Sequence, residues 1–578
     1  MKKFLKYAGL GMFIMLMTAG CNDDFLERFP LDELTNETFW NSEADLRAFV
    51  NKLYPSLGNG IVWTVDDQSD NQAPETFNTV AAGLHTIDNG SWNWSFLRDC
   101  NFFLENFDRN PGLDQSVKDR YQGEVLAFRA NWVFSRIKRW GDIPFTTRVL
   151  TNQDTEELFG ERVPRKVVME QVLEDLTRAS ELIPPTAPEG RLTKWAALAL
   201  KARICLHEGT FRKYHNLGDD QLFLEEAASA AKQIMDEGGF ELYSTGDPAQ
   251  DYNDLFSEIS LSGNPEVILA RVYDGVNIGH NFIRFMVESI QNGMTKDMVN
   301  DYLCTDGLPI GLSPLYQGDN SLPDEFANRD PRMAQTILPL SQNFFAERDG
   351  DETEPRLPWA AGFSSATTTG YHIIKYYDPV EVRKIDEAET DLPLIRYAEV
   401  LLVYAEAMAE LGRADQSVID LSINRLRERV GMAPMTVADL ARDPSSDMVA
   451  SAGYLDTDVP VLIEEIRRER RVELAAEGFR YDDLMRWRAG RMLTKQTLGV
   501  RWDAVKDLTD PSGTPLYSGD SAIPGNLFDL DPGGYIDVYS RQLPGGKVFD
   551  PNKHYFFSIP VEEITLNPNL AQNPGWGN

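Results

Sequence analysis

The stretch LPLIRYAEVLLVYAEAMAELG, residues 392–412, decides the fold. Leu394, Tyr397, Leu401, Tyr404, Met408 and Leu411 recur at three- and four-residue steps, the spacing of one face of an α-helix, and Gly412 supplies a helix-ending residue. Asp415 is placed to cap a second helix, whose stripe runs Ile419, Ile423, Leu426 and Val430 before Gly431. The pair reads as a helical hairpin. Two further hairpins follow the same pattern: Leu126, Ala130, Val133 and Ile137 with Val168, Val172, Leu176 and Ala179, and Trp195, Ala199, Ala202 and Leu206 with Leu224, Ala228, Ala231 and Met235. Alanines at these seams let neighbouring helices approach closely, as in tetratricopeptide (TPR) stacks with a period of about 34 residues. The repeats are irregular. The expected fold is therefore mainly α, a TPR-like helical solenoid (α-α superhelix) with helices mainly within 40–237 and 394–490.

Between the helices lie segments rich in Gly, Pro, Asn, Asp and aromatics, about 60–92, 240–392 and 500–556. Long loops in a compact protein are usually functional, so these are expected to be insertions mounted on one domain, 21–578, and to carry its ligand site.

Composition narrows the function. With 42% hydrophobic and 11% aromatic residues the chain is globular, and a net charge of -34 excludes the basic surface that nucleic-acid binding needs. Cys100, Cys205 and Cys304 are too few for a disulfide framework. At the N-terminus, Lys2, Lys3 and Lys6 precede the apolar run YAGLGMFIMLM, which is shorter than the about 20 residues a membrane span needs. Thr18, Ala19 and Gly20 then lead into Cys21. This resembles a bacterial lipobox with Thr18 where an aliphatic residue usually stands, so residues 1–20 are read as a lipoprotein signal peptide and Cys21 as the lipid attachment site. The alternative is ordinary cleavage near Ala19, leaving a free thiol.

The chain also resembles a known family along nearly its whole mature length. The fragments that carry the resemblance are CNDDFLERFP (21–30), FWNSEADLRAFVNKLY (39–54), LRDCNFFLEN (97–106), GEVLAFRANWVFSRIKRWGDIPF (123–145), NRDPRM (328–333), the 392–412 stretch, IRRERRVELAAEGFRYDDLMRW (466–487) and NPNLAQNPGW (567–576). In order and spacing these are similar to the SusD/RagB lipoproteins, outer-membrane nutrient-binding proteins that include starch-binding SusD. The resemblance implies TPR-like helices with a loop-rich part, a lipid anchor exposing the protein on the cell surface, and partnership with a TonB-dependent SusC-like transporter. Asp23 and Asp24 look like the signal that sends such lipoproteins outward. The implied ligand is a glycan, an oligo- or polysaccharide, or a peptide as in the RagB branch. The other classes left open are a surface glycoside hydrolase and a structural TPR-like adaptor.

Holding a sugar without cleaving it takes flat aromatic faces for the apolar side of a pyranose, framed by amide and carboxylate groups. The loop before residue 95 offers Trp63, Trp92 and Trp94 beside Asp66, Asp67, Asn71 and Gln72, and Asn101 follows in the LRDCN run. The second insertion adds Tyr273, His280, Asn281, Phe282, Tyr316 and Trp359. The ligand-binding candidates are thus Trp63, Asp67, Trp92, Trp94, Asn101, Tyr273, Phe282 and Trp359. Against each tryptophan stands a role in the core, and against Asn101 a role in the framework. The run EEIRRERRVELAAEGFRYDDLMRW (464–487) interleaves acids and arginines at three- and four-residue steps, which reads as a locally paired structural network rather than a polyanion site.

Catalysis is poorly supported by the sequence. The six histidines show no zinc spacing, and no phosphate loop, nucleophile elbow or dinucleotide fingerprint occurs. Asp529, Asp531 and Asp537 depart from the EF-hand spacing. No enzyme activity, cofactor or metal is expected.

Overall fold

The computed structural model describes residues 39–58, 66–87, 92–283, 292–339, 367–384, 386–509 and 528–577, with isolated positions in 513–525 and two short strands in 344–353. Helices α1 (Glu43–Asn51), α2 (Ser95–Asn106), α3 (Gln115–Trp140), α4 (Arg165–Leu182), α5 (Lys194–Tyr214) and α6 (Asp220–Glu237) form the first part of the stack. Helix α3 packs on α4, and α5 packs on both α4 and α6. The seams are tight because they carry small residues. A Cβ built on Gly209 of α5 would stand 2.8 Å from Leu224 Cγ of α6, so no larger residue fits between these helices.

Four helical elements complete the scaffold: α10 (Tyr397–Glu410), the short pair α11 (Gln416–Asp420) and α12 (Ile423–Arg429), and α13 (Val461–Glu473), followed by α14 (Arg480–Arg486). Helix α10 lies against α6 and α13. Gly412 takes the left-handed conformation (φ 70°) after α10, and the Asp415 carboxylate accepts the backbone N–H groups of Ser417 and Val418. Both features follow the sequence reading.

Two expectations about this hairpin need correction. Leu394 does not belong to the helical stripe: residues Leu392–Arg396 form strand β2, antiparallel to β1 (Val267–Arg271), and the helix starts at Tyr397. The second helix is also broken. The Ser422 hydroxyl donates to the Val418 carbonyl at 2.5 Å, competing with the backbone ladder, and separates α11 from α12.

The segment expected to be loop-rich, 240–392, builds a second core around Tyr252, Phe256, Met298, Tyr302, Ile337 and Tyr371. Short helices α7 (Asp251–Ser257), α8 (Lys296–Asp301) and α9 (Pro331–Thr336) carry much of it, and a three-stranded sheet of β3 (Leu498–Arg501), β4 (Asp529–Leu530) and β5 (Tyr535–Asp537), in the order β3-β5-β4, closes it. Helix α13 is the shared wall: Ile463 and Ile466 face the helical core, while Val472 faces the second core. Cys100, Cys205 and Cys304 are buried free thiols.

Candidate functional site

Trp132, Arg136 and Trp140 recur every four residues on α3 and so share one face. Trp92 and Trp94, just before α2, fold down on that face. Trp92 meets Trp94 edge-on at 5.2 Å and Trp140 at 4.9 Å; Trp94 meets Trp132 at 5.5 Å; Phe96 stacks on Trp132 at 5.7 Å with 17° between planes. The Arg136 guanidinium lies 4.4 Å over the Trp132 ring and 5.6 Å from that of Trp140. Burial and the neighbouring Arg139 charge lower the Arg136 pKa. Trp140 and Trp132 are buried and anchor the group, whereas Trp92, Trp94 and Phe96 are half-buried. The result is an aromatic ledge with a cation on its edge. Such a surface stacks on the apolar face of a sugar ring, and a guanidinium donates to ring hydroxyls.

Two of the sequence candidates, Trp92 and Trp94, therefore come together, and the structure adds Phe96, Trp132 and Arg136. The signal for Trp132 and Arg136 lay in the four-residue step within NWVFSRIKRW, 131–140.

The other candidates are placed differently. Asn101 is fully buried: its amide donates to the Thr146 and Arg148 carbonyls at 2.8 and 3.2 Å, and its oxygen accepts from Arg129 at 2.9 Å. It is a framework residue holding the 146–148 segment to α2 and α3. Tyr273 and Phe282 are buried in the second core, with the His280 ring stacked 3.6 Å from Phe282 and edge-on to Tyr273 at 4.6 Å. Their aromatic faces are spent on that packing. Trp63 and Trp359 lie outside the described residues.

Asp67 is half-buried and accepts from the Asn292 amide at 2.7 Å; burial raises its carboxyl to about 7, with the Asp66 charge adding to the effect. Its neighbours in the loop point inward. Asp66 accepts the Ala476 N–H at 3.0 Å, Asn71 accepts from Arg471 at 2.8 Å, and Asp70 takes a two-pronged contact from Arg480 at 2.7 and 2.8 Å. This polar loop is a clamp on α13 and α14, not a ligand face.

The basic run of α13 is structural, as expected, yet its pairs are mostly not local. Arg468 does reach Glu465 within the helix, but Arg467 pairs with Glu410 of α10, Arg470 with Asp483 of α14, and Arg471 with Asp70, Asp297 and Asp301. Glu473 gathers Arg332, Arg396 and Arg429. The repeating charges thus tie α13 to α8, α10, α14 and the 66–72 loop. The acidic segment near the C-terminus is likewise engaged by the protein itself: Asp529 by Arg541 and Ser540, Asp537 by Ser540 and Gln496.

A cavity of about 350 Å³ opens on the next face of α3, between that helix, α5, the start of β2 and the turn before α14. Ser135, exposed, and Lys138, ion-paired with Asp482, stand at its mouth. His207 and Arg470 are buried members of its lining, 7% and 4% exposed.

The solenoid turns the arginines of α13 inward and leaves Trp92, Trp94 and Phe96 half-buried beside Arg136. The SusD family model matches residues 286–576, and a second model, described as starch-binding associating with outer membrane, matches residues 24–206: the chain belongs to the SusD family. It is 24% identical to SusD-like protein P2 of Formosa agariphila over 601 residues, covering 99% of this chain and 100% of the relative. Its fold is similar to the crystal structure of a SusD-like carbohydrate binding protein from Bacteroides fragilis, with a TM-score of 0.71 and 24% identity over 92% of this chain and all of that one. A laminarin binding SusD-like protein aligns with a TM-score of 0.55 and 19% identity over 93% of this chain and all of that one.

Proposed function

We propose that this protein is a surface lipoprotein that binds a glycan, an oligo- or polysaccharide, and delivers it to a TonB-dependent SusC-like outer-membrane transporter. The observation that carries the reading is the aromatic ledge of Trp92, Trp94 and Phe96, resting on the buried Trp132 and edged by Arg136. The ledge lies inside the segment matched by the starch-binding family model. Among the described residues no helix is long and apolar enough to cross a membrane. What supports a lipid anchor is the lipobox-like run that leads into Cys21. A lipoprotein cysteine with several acyl chains anchors stably where a single chain does not.

The test has three arms. The protein is run through affinity gels containing starch, laminarin and other polysaccharides, with reducing ends assayed in parallel: retention without new ends supports binding, and new ends support a hydrolase. Cys21→Ser should shift the protein out of the membrane fraction. Mild-detergent purification from the native host should recover a barrel transporter with it. Retention on no glycan, membrane localisation independent of Cys21, and recovery of the protein alone would together overturn the reading.

A further inference from the structure

The ledge and the cavity are neighbours on α3. Trp132 and Ser135 are three residues apart, a spacing that sets Cβ atoms about 5–6 Å from each other, and the Ser135 hydroxyl donates to the Trp132 carbonyl at 2.6 Å. One side of this ridge is a stacking surface and the other is a hole of about 350 Å³. That volume lies at the small end of ligand pockets, which run from about 300 to 1,000 Å³, and suits a sugar unit or two rather than a polymer.

The lining favours a neutral, hydroxyl-rich guest. Each cation is already matched by a carboxylate: Lys138 by Asp482, Arg203 by both oxygens of Glu399 at 2.6 Å, Arg470 by Asp483 at 2.9 Å, and Arg486 by Glu406 at 2.6 and 2.7 Å. A charged guest would have to break one of these pairs in a confined space, which is costly. A neutral polyol instead bridges paired charges, donating to carboxylates and accepting from guanidinium groups. Phe134, Tyr376 and Phe479 are also among the lining residues, the first two buried and the third half-buried.

Two groups in the wall are chemically unspent. His207 Nδ1 and Arg470 Nη1 make no hydrogen bond among the described residues, although both side chains are more than nine-tenths buried. His207 packs edge-on against Phe134 at 5.0 Å and is kept neutral by its burial, with Lys138, Arg165 and Arg486 adding to the effect. Both nitrogens are themselves shielded from solvent, so a guest in the cavity would meet the other atoms of these side chains.

We propose that this cavity is a second carbohydrate subsite that takes a neutral monosaccharide, and hence the terminal unit of a chain lying across the Trp92–Trp132 ledge. The part that concerns the terminal unit rests on the glycan-binding reading above; the monosaccharide site stands by itself.

The probe is a panel of D-glucose, D-galactose, D-mannose, D-xylose, L-fucose and D-glucuronate, examined by saturation-transfer NMR on the full-length chain in detergent. At least one neutral sugar should give a signal, and glucuronate none. Ser135→Trp, which fills the mouth, should weaken that sugar by about ten-fold or more, whereas Leu566→Ala, at an exposed residue outside both the ledge and the cavity lining, should leave it within about two-fold. A second mouth variant, Asn131→Phe, is measured alongside, and the thermal melt of each shows which is folded. No neutral sugar binding to the wild type, or binding untouched by a folded mouth variant, would overturn the subsite. Polysaccharide retention on gels without any monosaccharide signal overturns the subsite alone. A monosaccharide signal without retention upholds the cavity and removes the ledge reading.

Discussion

Arg396, the last residue of β2, sets one guanidinium nitrogen 2.7 Å from the Glu473 carboxylate and another 2.8 Å from the Glu473 carbonyl, fastening the strand to the end of α13. Both side chains are buried, and the same carboxylate receives Arg429 at 2.7 and 2.8 Å and Arg332 at 2.8 Å. Burial by itself would raise this carboxyl; Arg429, Arg396 and Arg332 together overcome it and hold it well below the usual range.

Glu473→Gln should therefore be severely destabilising, because it leaves three buried guanidinium groups short of their common partner. The expected loss is about 3–5 kcal/mol, read from the urea midpoint at pH 7. The sign follows from the depressed pKa. The Glu473 contribution is fully present above the unfolded carboxylate range and is lost as pH falls from there through the depressed folded value, so the gap between variant and wild type should narrow in acid. A midpoint unchanged at pH 7 would show that the network is not what joins the two cores.

The ledge gives a binding prediction. Trp92→Ala removes a half-buried ring that contacts Trp94 and Trp140 and should weaken retention on a glycan gel by about 1–3 kcal/mol, the scale of aromatic stacking platforms. The thermal midpoint should move little, because Trp140 beneath it stays in place. Loss of the cooperative melt would return Trp92 to the core.

Asn101 should behave in the opposite way. Asn101→Ala strips the Thr146 and Arg148 carbonyls and one Arg129 nitrogen of their partner in a buried site, at about 1–3 kcal/mol for such groups. Glycan affinity of the folded fraction, measured by calorimetry, should equal that of the wild type. A weaker affinity at unchanged stability would make Asn101 a ligand contact.

Asp67 yields a pH prediction. Its carboxyl is raised to about 7 by burial, so the folded state keeps a proton that the unfolded chain releases at an ordinary carboxyl pKa. Stability from this group is then lost as pH rises toward 7, by up to about 1.4 kcal/mol for each pH unit. Asp67→Asn keeps an acceptor for the Asn292 amide and removes the ionisation. Its stability advantage over wild type should be small at pH 5 and larger at pH 8, in paired denaturation curves.

Helix positions were legible in the sequence because they depend on short-range spacing. The apolar stripes of α3, α4, α5, α6 and α10 recur at three and four residues, and the caps at Gly412 and Asp415 act within one turn, so residue order alone specifies them. The role of Leu394 was not legible, since its strand exists only through pairing with Val267–Arg271, more than a hundred residues earlier. Nor were the partners of α13. Local spacing allowed helical pairs, but the low-dielectric interior demands a partner for every buried charge, and the chain supplies these from α9, α10, α12 and the 66–72 loop. The same distinction governs the site. Residue type marked Trp92 and Trp94 as able to stack on a sugar, along with Tyr273 and Phe282, which have the same chemistry. Only packing separated them: the first pair rests half-exposed on α3 beside Trp132 and Arg136, whereas the second is enclosed in its own core. An aromatic ring binds ligand only where the fold leaves its face uncovered, and that is decided by tertiary contacts, not by the residue's identity.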